Sequence, residues 1–366
     1  MRYNGRCRVT RVSLHVLWER SGIWVPMSRR VTQSDVARRA GVSRATVSNV
    51  INNRTGGNVA ITEETRRRIL ATVAELGYHP NAAARSLRSG SSGTVGLLIP
   101  DVANPHFWAI VRGVEAVTRA QGYQLALAVA GLDAERERAL LRDLAQRRLD
   151  GLILLLTYPA HLAEELEALR LQGGAIVTFG GALPGRDAVV QSYGLGTREL
   201  MAHLLGLGHR RIGFIRGAAR PALAADRLLG YRRALRAAGI PLQKELIVEC
   251  GPALHDGLEA AHRLLDLVPR PTAIVGANDL MAIGVLQAAA QRGLSVPRDL
   301  SVAGFDDIDL AAYLVPPLTT VRAESEGVGR QAAELLFRRL RDPEAPPQRI
   351  DLPAHLVVRG STGECK

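Results

Sequence analysis

Arg44, Ala45, Thr46, Ser48 and Asn49 share one short stretch of the chain. Between them they carry the groups that read base edges in a DNA major groove. An arginine can hold a guanine through two hydrogen bonds, and an asparagine can hold an adenine. An alanine, or the methyl of a threonine, can touch a thymine methyl. Thr32, Ser43 and Asn52 flank the stretch, where hydroxyls, amides and helix N-termini could grip phosphates. Such chemistry needs a short helix whose first turns face the bases, with a second helix to hold it there.

The local pattern supplies both helices. Thr32 is placed to cap a first helix, with Asp35 as the acid of a capping box. Val36, Ala37 and Ala40 give that helix an apolar face, and Gly41 supplies the turn. Ser43 can cap a second helix running to about Ile51, with Val47, Val50 and Ile51 inward. A polar loop, 52–59, leads to Thr62, which caps a third helix. Glu63 and Glu64 complement its dipole. Ile69, Leu70, Val73 and Leu76 are its expected buried stripe, and Gly77 ends it. Short helix, glycine turn, short helix is the helix-turn-helix arrangement. The competing reading is a structural three-helix bundle with a solvated basic face.

Charge favours the first reading. The chain has 366 residues and a net charge of +12. Residues 1–26 carry +4, residues 27–90 carry +7, and residues 91–366 carry +1. An arginine-rich composition explains why Lys244 and Lys366 are the only lysines. It does not explain why the excess sits in the first quarter, as expected for a polyanion-binding module.

Beyond residue 93 the pattern changes. Apolar runs at 95–99, 124–129, 151–156, 175–179, 211–215, 246–249, 272–276 and 300–304 read as buried strands. Amphipathic stretches at 107–121, 134–147, 194–207, 227–238, 256–267 and 279–292 read as the helices between them. This rhythm predicts parallel sheets covered on both faces. The segment is too long for one compact sheet, so two doubly wound lobes are expected, with a ligand cleft at the strand ends between them. The predicted organisation is a disordered extension or misassigned start over 1–26, an all-α DNA-binding domain over 27–79, a hinge helix and linker over 80–93, and a two-lobed α/β core over 94–366.

Several classes find no support. Cys7, Cys250 and Cys365 are too scattered for a metal site or disulfide framework, and fit a reduced cytoplasmic location. No apolar run is long enough to predict a membrane span. Walker A, Gly-x-Ser-x-Gly, His-Glu-x-x-His and dinucleotide-binding glycine motifs are all missing, so an enzyme is not expected, nor any metal or cofactor.

The run from Val31 to Asn52, together with Leu76-Gly-Tyr-His-Pro-Asn-Ala-Ala-Ala-Arg-Ser-Leu, closely resembles the DNA-binding and hinge segments of the lactose-repressor (LacI/GalR) family. The resemblance continues through Gly96-Leu-Leu-Ile-Pro-Asp-Val-Ala-Asn-Pro, Leu207-Gly-His-Arg-Arg-Ile-Gly, Arg227-Leu-Leu-Gly-Tyr, Ala277-Asn-Asp, Gly304-Phe-Asp-Asp and Pro317-Leu-Thr-Thr-Val. It implies a homodimeric regulator, expected to repress, on a pseudopalindromic operator. The core should resemble a periplasmic sugar-binding protein, with a small effector between its lobes. Leu87 matches a hinge leucine that wedges into the minor groove; packing within a short amphipathic helix is its alternative role. A metabolite-binding protein without DNA activity is the alternative for the whole chain, and the helix-turn-helix pattern argues against it.

The resemblance also nominates an effector site: His106 and Phe107 from the first lobe, and Arg227, Asn278 and Asp306 from the second. Arg227 is the strongest candidate. Asn278 and Asp306 could instead satisfy loop amides, His106 could be a packing residue, and Asp279 is expected to cap the helix after it. Many sugar-responsive relatives carry acidic residues where this chain has Phe179-Gly180 and Gln191-Ser192. Losing them removes acceptors for sugar hydroxyls, and favours a less polar, aromatic or anionic ligand over a common hexose or pentose.

Overall fold

The computed structural model describes residues 31–51, 61–78, 90–147, 149–171, 174–179, 185–217, 222–251 and 253–366. Asn52, Leu87, Gly180, the 1–26 extension and hinge residues 80–89 lie outside them. The chain divides into two compact units between residues 82 and 83.

The first unit holds three helices: α1 (Gln33–Ala40), α2 (Arg44–Ile51) and α3 (Glu63–Glu75). Each starts where its capping residue predicts. Thr32 Oγ1 accepts from the Asp35 amide at 3.3 Å, and the Asp35 carboxylate accepts from the Thr32 amide at 2.9 Å, closing the capping box. Ser43 Oγ accepts from the Thr46 amide at 3.1 Å, and Thr62 Oγ1 from the Thr65 amide at 3.3 Å. Such caps contribute about 1 kcal/mol each. Gly41 makes the α1–α2 turn at φ +64°, a left-handed conformation that favours glycine.

The unit's core is Val36, Ala37, Ala40, Val47, Val50, Ile69 and Tyr78, with Ile51, Val73 and Leu76 packed against it. Leu70 departs from expectation. It is 45% exposed, while Thr72 is buried in its stead, its hydroxyl donating to the Arg68 carbonyl. Three short helices enclose a stripe too narrow for four large side chains on α3.

The second unit contains two six-stranded sheets. In the first lobe are β1 (Thr94–Ile99), β2 (Gln124–Val129), β3 (Gly151–Leu155), β4 (Ala175–Phe179) and β5 (Asp187–Ser192). In the second are β6 (Ile212–Gly217), β7 (Ile247–Cys250), β8 (Ala273–Gly276), β9 (Ser301–Asp306) and β10 (Thr319–Arg322). The orders are β11-β5-β4-β3-β1-β2 and β12-β10-β9-β8-β6-β7, where β11 is Arg349–Pro353 and β12 is His355–Val357. All pairings are parallel except β10 with β12. Central strands such as β1, β3 and β4 are buried almost throughout, which explains their unbroken apolar runs.

The helices are α4 (Pro105–Ala120), α5 (Ala134–Gln146), α6 (Ala163–Leu171), α7 (Gly194–Gly206), α8 (Ala222–Ala237), α9 (Leu254–Leu265), α10 (Asp279–Gln291) and α11 (Ser325–Arg341). The apolar runs locate β1 to β4 and β6 to β9. They do not anticipate β5, β10 to β12, α6 or α11, and these carry the long-range part of the fold. The chain passes between lobes after β5, after β10 and after β11. Helix α11 leaves a second-lobe strand and crosses α4, first-lobe backbone against backbone, at Gly113 and Gly329. A Cβ on Gly113 would overlap the Glu326 carbonyl, and one on Gly329 would overlap that of Ile110.

Candidate functional site

Parallel strands send all their C-terminal ends to one side of each sheet, where ligand sites of such folds form. In the second unit those ends surround a cavity of about 140 Å³. From the first lobe it is lined by Asp101 after β1, Phe179 on β4 and Gln191 on β5, with His106 and Phe107 from the first turn of α4. From the second lobe come Gly217 on β6, Arg227 on α8, Asn278 after β8 and Asp306 on β9.

A polar network occupies one wall. Asp306 Oδ1 accepts from the Tyr193 hydroxyl at 2.9 Å and from Arg227 Nη2 at 2.9 Å. Arg227 also donates from Nη1 to the Ala277 carbonyl. Its guanidinium lies 3.8 Å from the Tyr193 ring centre and 5.1 Å from that of Phe305, within cation–π range of both rings. His106 approaches from the first lobe, its Nδ1 4.0 Å from Asp306 Oδ1 and 2.9 Å from Ser325 Oγ. Asp306 is held at φ +101°, a left-handed conformation disfavoured for a side-chain-bearing residue.

Burial sets the electrostatics and the charges redistribute it. Burial alone would raise the Asp306 carboxyl, but His106, Arg227 and Tyr193 outweigh it and hold it below the usual carboxylate range. Desolvation lowers His106, with Asp306 only partly opposing. Burial, then the Asp306 carboxylate, pushes the Tyr193 hydroxyl up. Desolvation would weaken the Arg227 charge, yet Tyr193 and Asp306 more than restore it. The network is therefore an anion and a cation neutralising one another beside the His106 imidazole.

His106, Phe107, Arg227, Asn278 and Asp306 all line the cavity, as do Phe179 and Gln191. One local expectation is corrected. Asn278, not Asp279, caps α10, its Oδ1 accepting from the Met281 amide at 2.8 Å. Asp279 follows the cap, and its buried carboxylate accepts from Thr320 Oγ1 at 2.6 Å and the Ile308 amide at 2.9 Å. Burial and neighbouring Asp306 push its carboxyl well above the usual range. Sequence reasoning missed Tyr193 and Asn104, which also line the cavity. Tyr193 follows a strand that the sequence does not reveal, and no local signal marks it. Asn104 had a signal, since Asn before Pro105 is a helix-cap pattern; its Oδ1 accepts from the His106 amide at 3.0 Å.

In the first unit, α2 turns Val47 and Val50 into the core and leaves Arg44 and Ala45 exposed, with Thr46, Ser48 and Asn49 half-buried. Ser43 and Thr32 are exposed at the starts of their helices, although both hydroxyls serve as caps.

The comparisons with known proteins agree with both halves of this description. Residues 32–81 match the family described as bacterial regulatory proteins, lacI family, and residues 201–362 match the periplasmic binding protein-like domain. The ribose operon repressor of Haemophilus influenzae is 36% identical over 330 residues, covering 90% of this chain and 98% of that protein. The HTH-type transcriptional repressor PurR of Vibrio vulnificus is 34% identical over 332 residues, covering 90% and 97%. Among solved structures, the lac repressor dimer bound to operator and the anti-inducer ONPF aligns with a TM-score of 0.79 at 27% identity, covering 92% of this chain and 100% of that one. A LacI family regulator from Enterococcus faecium with bound ribose aligns at 0.67 and 28%, covering 75% and 100%.

Proposed function

The chain belongs to the lacI family of bacterial regulatory proteins, and on that premise we propose that it is a repressor whose operator affinity is set by a small molecule held between the core lobes. The observation that carries this is α2. Its two buried valines fix the helix on the bundle so that Arg44 and Ala45, at its start, face outward on a cap-defined N-terminus. That is the end a recognition helix presents to base edges. Thr46, Ser48 and Asn49 complete the reading face, and Thr32, Ser43 and Asn52 hold phosphates. Two copies of the chain bind a pseudopalindromic site, and Leu87 acts as the minor-groove wedge. His106, Phe107, Arg227, Asn278 and Asp306 form the effector site.

The relatives and fold neighbours are transcriptional regulators, not enzymes. Among the described residues no helix is long and apolar enough to cross a membrane, and no cluster of His, Cys, Asp and Glu suits a metal ion. The test is selection from a random duplex pool by the full chain. It should recover a two-fold symmetric site whose affinity falls steeply with salt, as phosphate neutralisation requires. Retention of DNA without sequence preference overturns the reading.

A further inference from the structure

The effector's chemistry can be read from which cleft groups are already spent. Arg227 and Asp306 neutralise each other. Asn278 and Asn104 each use Oδ1 to cap a helix. His106 is bonded to Ser325, and Tyr193 to Asp306. A polyol needs a dense set of uncommitted donors and acceptors, and this wall spends most of its groups on itself. The remaining charge is Asp101, whose carboxylate accepts from the Ala103 and Asn104 amides and faces no cation among the described residues. An anionic guest would meet that carboxylate and an arginine already paired.

Three residues that line the cavity carry a buried polar atom with no hydrogen-bond partner: Thr157 Oγ1, Gln191 Oε1 and Arg227 Nε. Gln191 donates from Nε2 to the Leu352 carbonyl at 3.1 Å, which fixes its oxygen as the acceptor left over. Buried polar atoms are rarely left unpaired in a working complex. Gln191 and Arg227 belong to opposite lobes, so one ligand can satisfy both only by bridging the cleft. It must offer a donor to Gln191 and an acceptor to Arg227. Apart from the Thr157 hydroxyl, the remaining side chains of the lining are apolar, chiefly Phe107, Ile110, Leu155, Phe179, Met281 and Val328. The cavity of about 140 Å³ is on the scale of an apolar cavity that holds one benzene ring.

We infer that the effector is a neutral ring compound carrying one amide-like donor–acceptor pair, rather than a sugar or a carboxylate. This rests on the proposed effector site and names its ligand class. Such a molecule covers apolar walls with its ring, pairs Gln191 Oε1 and Arg227 Nε across the cleft and carries no charge into a site that has no unspent counter-ion for an anion.

A series of near-isosteres separates the possibilities: benzamide (neutral), benzoate (anionic) and benzamidine (cationic), beside ribose and glucose. Binding to the full chain is read by calorimetry and thermal shift at millimolar concentration. The expected result is that benzamide binds more tightly than the other four. Gln191→Leu should weaken it roughly three- to tenfold, the worth of one hydrogen bond. Tighter binding by a charged isostere or a sugar, or no binding by benzamide, overturns the inference. The wild-type ranking stands even if the variant folds poorly. Operator affinity is measured in the same samples. A sugar or acid that binds the cleft and changes operator affinity refutes the ligand class alone. Benzamide bound in the cleft with operator affinity unmoved refutes the effector-controlled reading.

Discussion

Arg227 Nη2 donates to Asp306 Oδ1 over 2.9 Å, with the two side chains only 12% and 3% exposed. The arginine that the sequence marks as a ligand contact is thus also the counter-ion of a buried carboxylate. Truncating one partner strands the other's charge, a loss of about 3–5 kcal/mol. Arg227→Ala should lower unfolding stability by that amount and abolish the effector response. Adding Asp306→Ala should recover part of the stability without the response. Urea unfolding of the single and double variants checks this, and a single variant as stable as wild type contradicts it.

Gly113 and Gly329 let α4 and α11 touch through their backbones. An added methyl meets carbonyl oxygen, which cannot rotate aside as a side-chain tip can. Gly329→Ala should therefore cost about 1–3 kcal/mol or more, the range for overpacking. An alanine at Gly239, at φ +68° with nothing within reach of its Cβ, should show backbone strain but no overpacking. Thermal melts of the two variants give the comparison, and an unchanged Gly329→Ala melt rejects the close crossing.

His209 is 2% exposed, bonded through Nδ1 to Thr272 Oγ1 and through Nε2 to Ser301 Oγ and the Gly363 carbonyl. Burial lowers its pKa, Gly363 partly opposes, and nearby His203 adds to the lowering. The unfolded chain takes up a proton near pH 6.5 where the folded one does not. Stability from this group is present above pH 6.5 and lost as pH falls below it. The slope approaches about 1.4 kcal/mol per pH unit. His209→Gln should lose less stability than wild type between neutral pH and moderate acid. Parallel denaturation curves at both pH values refute this.

Arg44→Ala and Asn49→Ala should each cost about 1–3 kcal/mol on the selected operator and little on random DNA, if each holds a base through two hydrogen bonds. Anisotropy titrations on both duplexes measure the difference. Equal losses on the two would assign these residues to phosphate.

Leu87→Ala should weaken operator binding and reduce DNA bending while leaving the melting of the core unchanged, because a wedge acts only on a kinked base step. Bending is read by circular-permutation gel mobility, and an unchanged bend rules the wedge out.

The sequence alone settled whatever depends on neighbours along the chain. Thr32, Ser43 and Thr62 cap helices through amides three residues away, so their spacing reveals them. Central strands of a parallel sheet are buried on both faces, so β1, β3 and β4 stand out as apolar runs. Motif order carried the family, and with it His106, Arg227 and Asp306.

Tertiary structure decided what depends on distant segments meeting. Strand β11 pairs with β5, joining Arg349 to Ala188, and no local pattern encodes that register. Tyr193 reaches Asp306 because the chain changes lobes just after β5. Whether Arg227 stands free to bind an anion or is spent on Asp306 depends on a contact between α8 and the end of β9, 79 residues apart. The charge of a side chain is written in the sequence. Whether it is already neutralised is a property of the packed interior, where desolvation forces each ion to find its partner.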